Sequence, residues 1–275
     1  METHDKKRRL PLIAAIVAYA ASIALIVFET VANSALYDGQ PPTAFTLALS
    51  ASERIMLAAA FACVAALAGY GRLLKPRIKG GVIAFTASVA VAVANFPFFT
   101  LIGGELTYTA NAGVTALYLV NCVAIGAFEE CAFRGVLLPF LFGYMKEKRY
   151  AGVLSAVLSS AIFALFHIFN LFAGASFGGT LMQVGYTFLT GCMFAALLLL
   201  TRSVLPGIVA HALYDIGGTM VTYYVAEGSN WDAPSIAIMA VVSALAGLYL
   251  FIAAVRRTAF ARYELLEPER AETQS

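Results

Sequence analysis

The sequence predicts an all-α protein, a polytopic membrane bundle of about eight transmembrane helices, and three observations lead to this prediction. Hydrophobic residues make up 61% of the 275-residue chain and charged residues only 12%, whereas soluble domains average about 25% charged residues. Apolar stretches near 20 residues recur along the whole length, each long enough to cross about 30 Å of hydrocarbon. Basic residues cluster between alternate stretches. In lipid a helix satisfies its own backbone, so each stretch is interpreted as one helix.

The first segment follows the basic cluster Lys6–Arg9 and resembles a signal peptide. Its apolar run of about 19 residues exceeds the roughly 7–15 of a signal peptide, so we expect an uncleaved anchor. We expect residues 10–255 to form a single transmembrane catalytic domain with a motif core at 113–225. Residues 1–9 and 256–275 are expected to be cytoplasmic ends. The predicted segments are 10–28, 44–70, 81–102, 113–144, 150–172, 178–201, 203–225 and 234–255.

The loops alternate in charge. Of the 18 Lys and Arg residues, 16 lie at the N-terminus, in every second loop and at the C-terminus. The intervening loops, such as 29–42, 103–111 and 227–232, contain none. The positive-inside rule therefore predicts an even number of crossings, with both termini and the basic loops in the cytoplasm. The expected location is the cell (plasma) membrane, with the lipid bilayer and no nucleic acid as partner.

Charged residues inside the predicted segments are few. Glu129, Glu130 and Arg134 lie within six residues in the fourth segment, where each charge costs roughly 2.5–3.5 kcal/mol on insertion scales. Three such charges together call for a functional explanation. The histidines His167 and His211 also lie in apolar segments, and carboxylates combined with imidazoles out of water are typical of a catalytic site.

Glu53 and Arg54 interrupt the second segment. Adjacent residues on a helix point to different faces, so we expect that they do not pair well with each other. Arg54 either neutralises a carboxylate on a neighbouring helix or extends towards the membrane surface. Neither residue is assigned to the site.

The fourth segment contains Gly126-Ala-Phe-Glu129-Glu130-Cys-Ala-Phe133-Arg134-Gly135. Glu130 and Arg134 are four residues apart on one helical face and can form a structural ion pair. Glu129 is rotated by about 100° from Glu130 and points to a different neighbour. A second buried carboxylate without a cation costs free energy, which favours a functional role for Glu129.

The histidines are placed by counting from the basic loops. Glu129 precedes Lys146 by 17 residues and His167 follows Arg149 by 18, so both lie roughly 25–27 Å along their helices from this hairpin. We expect Glu129 and His167 to be level. His211 follows Arg202 by only 9 residues. Either the seventh helix begins late, after Pro206, or the site slopes towards the cytoplasm.

The order Glu-Glu-x-x-x-Arg, Phe-x-x-x-His and His-x-x-x-Asp on separate membrane segments resembles the CPBP family of intramembrane proteases. This family comprises the CAAX-protease and bacteriocin-processing proteins and includes the type II CAAX prenyl endopeptidases. The resemblance covers about Gly126 to Gly217 and implies a peptide hydrolase that needs no metal or other cofactor.

The resemblance also implies residue roles. Glu129 and His167 activate a water molecule, and His211, with the residue four positions on, stabilises the oxyanion. Glu130 and Arg134 are structural support. The family commonly has Asn at the last motif position, where this chain has Asp215. Asp215 donates a hydrogen bond only as the neutral acid, or it instead orients His211.

Three alternatives stay open on the sequence. Glu129, His167 and His211 could be the three protein ligands of a catalytic zinc, although no His-Glu-x-x-His motif is present. Buried Glu, His and Arg also occur in proton-linked transporters, and a non-enzymatic immunity-type membrane protein is the third alternative. The substrate of an endopeptidase would be a peptide or membrane protein, with or without an attached lipid, and nothing in the sequence selects among them.

Overall fold

A computed structural model describes residues 2–37, 44–103, 111–224 and 233–260, together with Leu266 and Pro268, and all regular elements in this part are helical. Two 3₁₀ helices (Gly71–Leu74 and His167–Ala173) and one π-helix (Cys131–Leu137) accompany ten α-helices. The α-helices are α1 (Glu2–Tyr37), α2 (Ala44–Leu67), α3 (Val82–Ala94), α4 (Phe98–Ile102), α5 (Ala112–Glu130), α6 (Leu138–Met145), α7 (Ala151–Phe166), α8 (Phe177–Thr201), α9 (Leu205–Tyr224) and α10 (Ala233–Phe260).

The predicted polytopic helical membrane bundle is confirmed. Among the described residues, six helical stretches are long and apolar enough to cross a membrane: Leu10–Glu29, Ala44–Leu67, Ala112–Met145, Ala151–Phe172, Phe177–Thr201 and Ala233–Arg257. The predicted segment 81–102 is instead divided into α3 and α4 just before Pro97, because a proline disfavours the helical conformation of the residue that precedes it. The predicted segment 203–225 corresponds to α9. This helix has 20 residues, among them the polar residues His211 and Asp215.

The core of the bundle surrounds α8. Every residue of this helix from Met193 to Thr201 is buried, so this end of α8 has neighbours on all sides. α8 packs against α7, α9 and α10, while α5 packs between α2 and α9. α1 and α10 have large exposed apolar side chains, including Ile16 and Leu245. In a bilayer these faces lie against lipid, which is as apolar as the side chains themselves.

The π-helix directly follows the two adjacent glutamates of α5. Its wider turn disturbs the regular backbone hydrogen bonds, and in a membrane any carbonyl left free needs a partner. The hydroxyl of Tyr19 in α1 donates to the Ala132 carbonyl at 2.5 Å. The hydroxyl of Ser159 in α7 donates to the Phe133 carbonyl at 2.9 Å. Side chains from two neighbouring helices therefore stabilise the irregular backbone that carries Arg134.

The prediction that Glu53 and Arg54 do not pair is wrong. Arg54 donates from Nη1 to Glu53 at 2.6 Å and from Nη2 to Glu29 of α1 at 2.9 Å. The long arginine side chain can turn back along its own helix, so adjacent positions do not prevent contact. The contact with Glu29 fulfils the alternative in which Arg54 neutralises a carboxylate on a neighbouring helix, and it ties α1 to α2.

Candidate active site

A polar cavity of about 310 Å³ lies within the bundle between α5, α8, α9 and the end of α7. All four residues predicted to be catalytic line it, although they come from three separate segments: Glu129, His167, His211 and Asp215. The two predicted support residues, Glu130 and Arg134, do not line the cavity. They are buried directly behind it, with 1% and 0% of their side-chain surface exposed.

Glu130 joins Arg134 and His211. Its Oε1 lies 3.0 Å from Nη1 of Arg134, in the i,i+4 pair that the sequence predicts, and also 3.0 Å from Nδ1 of His211 in α9. Glu130 faces the first turn of α9, where backbone N–H groups lack helical partners and the helix dipole favours a negative charge. The spacing of residues predicted only the arginine as a partner of Glu130, and the contact with His211 is known only from the tertiary structure.

Arg134 is held from several sides. Its Nη2 donates to the Gly191 carbonyl of α8 at 2.9 Å. Its guanidinium lies over the rings of Phe163, at 4.6 Å, and Phe194, at 5.6 Å. Cation–π contacts of this kind are strongest where water is excluded. Because the guanidinium is fixed, Glu130 is fixed as well, and Glu130 in turn holds the ring of His211.

Both ring nitrogens of His211 face carboxylate oxygens. Nδ1 faces Glu130, while Nε2 lies 3.4 Å from Oε2 of Glu129 and 3.8 Å from Oδ1 of Asp215. Phe194 stacks on the imidazole with 4.7 Å between ring centroids. The stacking and the Glu130 contact fix the ring plane, so that Nε2 points towards the cavity beside Glu129.

His167 is positioned by its own helix. α7 ends at Phe166 and His167 begins a 3₁₀ helix. Nδ1 of His167 lies 3.1 Å from the Phe163 carbonyl, four residues earlier. A carbonyl oxygen only accepts hydrogen bonds, so Nδ1 carries the proton in this contact, and the neutral ring has its lone pair on Nε2. Glu129 and His167 line the same cavity, as their equal distance from the hairpin predicts, but no direct contact joins them among the described residues.

The depth of His211 has a structural explanation. α9 begins at Leu205, with Pro206 in its first turn, so the helix does not start late. The turn before it is buried instead: Ser203 and Val204 are 0% and 1% exposed, and the Val204 N–H donates to the Leu73 carbonyl. The contacts of His211 with Glu129 and Glu130 place it level with the two glutamates, although it follows Arg202 by only 9 residues.

Close helix packing at two glycines brings the site together. A Cβ atom at Gly207 of α9 would lie 2.9 Å from Oε2 of Glu130. A Cβ atom at Gly126 of α5 would lie 3.2 Å from backbone atoms of Ile208 and Ala212. A Cβ atom at Gly207 would displace the Glu130 carboxylate and one at Gly126 would press on the α9 backbone, so glycine at both positions allows α5 and α9 to approach closely.

Sequence reasoning missed several polar residues of the cavity. Asn121 lies two helical turns before Glu129 on the same face, a spacing that can be recognised in the sequence. Asn95 follows α3 and donates to the Tyr214 carbonyl at 2.9 Å, which ties it to α9. Arg54 also lines the cavity. No local pattern marks Asn95. The sequence marks Arg54 as a charge in an apolar segment but does not place it at the site, because both positions depend on how distant helices pack.

The geometry bears on the zinc alternative. Within the described ranges, no group of three or more His, Cys, Asp or Glu side chains is arranged so that it could hold a metal ion. In particular, Glu129, His167 and His211 do not form such a group in the part of the chain that the structure describes. The arrangement instead offers acceptors and donors of protons around a cavity.

The fold and the site define a class of protein: a helical membrane protein with carboxylates and imidazoles around an internal polar cavity. The model of the family described as "Type II CAAX prenyl endopeptidase Rce1-like" matches residues 111–217. The chain thus contains an Rce1-like domain, and the resemblance stated from the motifs is confirmed. The match runs from the start of α5 into α9 and includes all six residues of the predicted site. No curated protein and no solved structure matches the chain.

Proposed function

We propose that the protein is an intramembrane endopeptidase of the glutamic type, in which Glu129 and His167 activate water and His211 stabilises the oxyanion. The observation that carries this proposal is the convergence of Glu129, His167, His211 and Asp215 on one cavity within the membrane bundle. The Rce1-like domain at residues 111–217 supports peptide hydrolysis as the reaction.

In the proposed first step, a water molecule in the cavity gives one proton to Glu129. Nε2 of His167 accepts a hydrogen bond from the other O–H group of this water. The oxygen attacks the carbonyl carbon of the scissile peptide bond and forms a tetrahedral intermediate. Without substrate, Oε2 of Glu129 lies 3.4 Å from Nε2 of His211. The substrate carbonyl oxygen takes the place of this carboxylate oxygen and accepts a hydrogen bond from the Nε2–H group. Donors that are already in place when charge develops give the largest stabilisation of such an intermediate.

In the second step, the proton held by Glu129 passes to the nitrogen of the leaving amine, the C–N bond breaks, and two peptides remain. Glu130 and Arg134 position His211 and do not touch the substrate. Asp215 lies 3.8 Å from His211, longer than a hydrogen bond. This distance favours the reading in which Asp215 acts as a neutral donor to the substrate over the reading in which it orients the imidazole.

We further propose that the basic ends and loops are cytoplasmic and that the protein lies in the cell membrane. The substrate would then be a membrane-bound peptide or protein, and a prenylated C-terminal tail is the first to test because the matching family is named for it. The mechanism needs no cofactor.

A cleavage assay in proteoliposomes tests the proposal. The panel contains a farnesylated reporter with a CAAX end, the same reporter without the lipid, and single-span membrane proteins, and mass spectrometry identifies the cut. Wild-type protein should cleave at least one of them, also after exhaustive chelation. Glu129→Gln should lose at least about 10²-fold in rate, because the amide cannot accept the proton.

The matched control is Glu147→Gln, the same change at an exposed residue of the α6–α7 hairpin. Its rate should equal that of the wild type. Near-normal turnover by a folded Glu129→Gln protein would contradict the assignment of the base. Loss of turnover on chelation, restored by zinc, would favour the metalloprotease alternative.

A further inference from the structure

Asn121 is a buried polar residue that the proposed mechanism does not use. It lies in α5, is 8% exposed and lines the polar cavity. Its Oδ1 is buried and has no hydrogen-bond partner in the part of the chain that the structure describes. An unpaired carboxamide oxygen away from water destabilises the folded protein. Stability therefore does not explain this residue, whereas an incoming ligand with an N–H group would.

The register of α5 against α9 places Asn121 level with Asp215. Near Gly126, α5 approaches Ala212, and further towards its start the Tyr118 hydroxyl donates to the Ile216 carbonyl at 2.7 Å. The two helices therefore run antiparallel, and position 121 falls opposite position 215. Oδ2 of Asp215 is also buried and without a partner among the described residues. Two unsatisfied polar groups thus face the cavity from opposite helices.

We propose that Asn121 binds the backbone of the substrate, an inference that rests on the proposed endopeptidase function. A carboxamide has an acceptor oxygen and a donor NH₂, which match the N–H and C=O of one residue of an extended chain, since these two groups point to the same side. Asp215 follows His211 by one helical turn, about 5.4 Å. An extended peptide advances about 3.3 Å per residue, so the bound group lies about two residues from the scissile bond.

This contact defines the conformation of the substrate. In a helix the backbone N–H and C=O groups bond to each other, so a helical transmembrane segment offers nothing to Asn121. In lipid, a backbone group freed from a helix needs another partner. The cavity supplies that partner, and the substrate class is therefore a segment that is extended or locally unwound beside the cleaved bond.

The variant Asn121→Leu tests the inference on the reporter that the wild type cleaves. Leucine has a similar volume without polar atoms, so the thermal midpoint should be unchanged or higher, since a buried unpaired group is removed. We expect KM to rise about fivefold to tenfold with kcat nearly unchanged, as for a contact equally strong in the bound and transition states. Asn111→Ser is the control: it removes a carboxamide from the same helix, but the serine keeps the N-cap bond to Val114.

Backbone-methylated substrates separate binding from a structural role. Reporter peptides with one N-methyl group at successive positions near the cut each lose one N–H donor. At the position that Asn121 binds, methylation should raise KM for the wild type and have no further effect on the Asn121→Leu protein.

The outcomes are distinct. A wild type that cleaves no reporter refutes the endopeptidase function, and the inference is lost with it. With an active wild type, an unchanged KM in Asn121→Leu overturns the inference alone. The inference is also overturned if the variant has a lower melting temperature than the wild type and each N-methyl group raises KM equally in both proteins.

Discussion

Replacing Arg134 by alanine should destabilise the protein more than any other single change at the site. The guanidinium is fully buried, lies 3.0 Å from the Glu130 carboxylate, and donates to the Gly191 carbonyl at 2.9 Å. Alanine removes all of these contacts and takes away the positive charge beside the buried Glu130 carboxylate. Removing one member of a buried pair costs roughly 3–5 kcal/mol, because the other charge stays buried without compensation.

The loss can be measured as a thermal melt in detergent. For a chain of this size, about 4 kcal/mol corresponds to a decrease of the melting temperature of roughly 10 °C. The control is Arg149→Ala, since Arg149 is exposed and its guanidinium lies over the ring of Tyr150 at 5.2 Å. That change should cost at most about 1 kcal/mol.

A double variant separates charge from packing. In Glu130→Gln/Arg134→Met both charges are absent, and methionine fills part of the space beside Phe163. Its melting temperature should exceed that of Arg134→Ala, because no uncompensated carboxylate remains. A melting temperature of Arg134→Ala within about 2 °C of the wild type would refute the argument.

Two further predictions concern Asp215, which lines the cavity, and Gly207, which packs against Glu130. Asp215→Asn should keep the cleavage rate within about tenfold of the wild type and extend cleavage to higher pH, because an amide donates a hydrogen bond at every pH and a carboxylic acid only while protonated. The pH–rate profiles of the two proteins check this prediction. A steep loss of cleavage rate at all pH values would contradict it. Gly207→Ala should lower the cleavage rate at least about tenfold and cost about 1–3 kcal/mol, since its Cβ would lie 2.9 Å from Glu130. Gly143→Ala is its control, because a Cβ there meets nothing within 4 Å.

Local sequence patterns were sufficient to predict the features that depend on a single helix. The spacing of Glu130 and Arg134 predicted their ion pair, because residues four apart share a helical face at any depth in the bundle. Hydropathy predicted the membrane bundle, since the bilayer imposes one length and one composition on every crossing helix. The motifs in their order also indicated the family, before any contact between the segments was known.

The sequence by itself determined which residues are costly to bury: Glu129, His167 and His211 stand out because lipid penalises them wherever they lie. Only the tertiary structure decided their partners. The contact of Glu130 with His211, the buried turn before α9, and the place of Asn121 opposite Asp215 all depend on how separate helices pack. Packing of this kind is set by close contacts such as that at Gly126, and no spacing within a single segment records it.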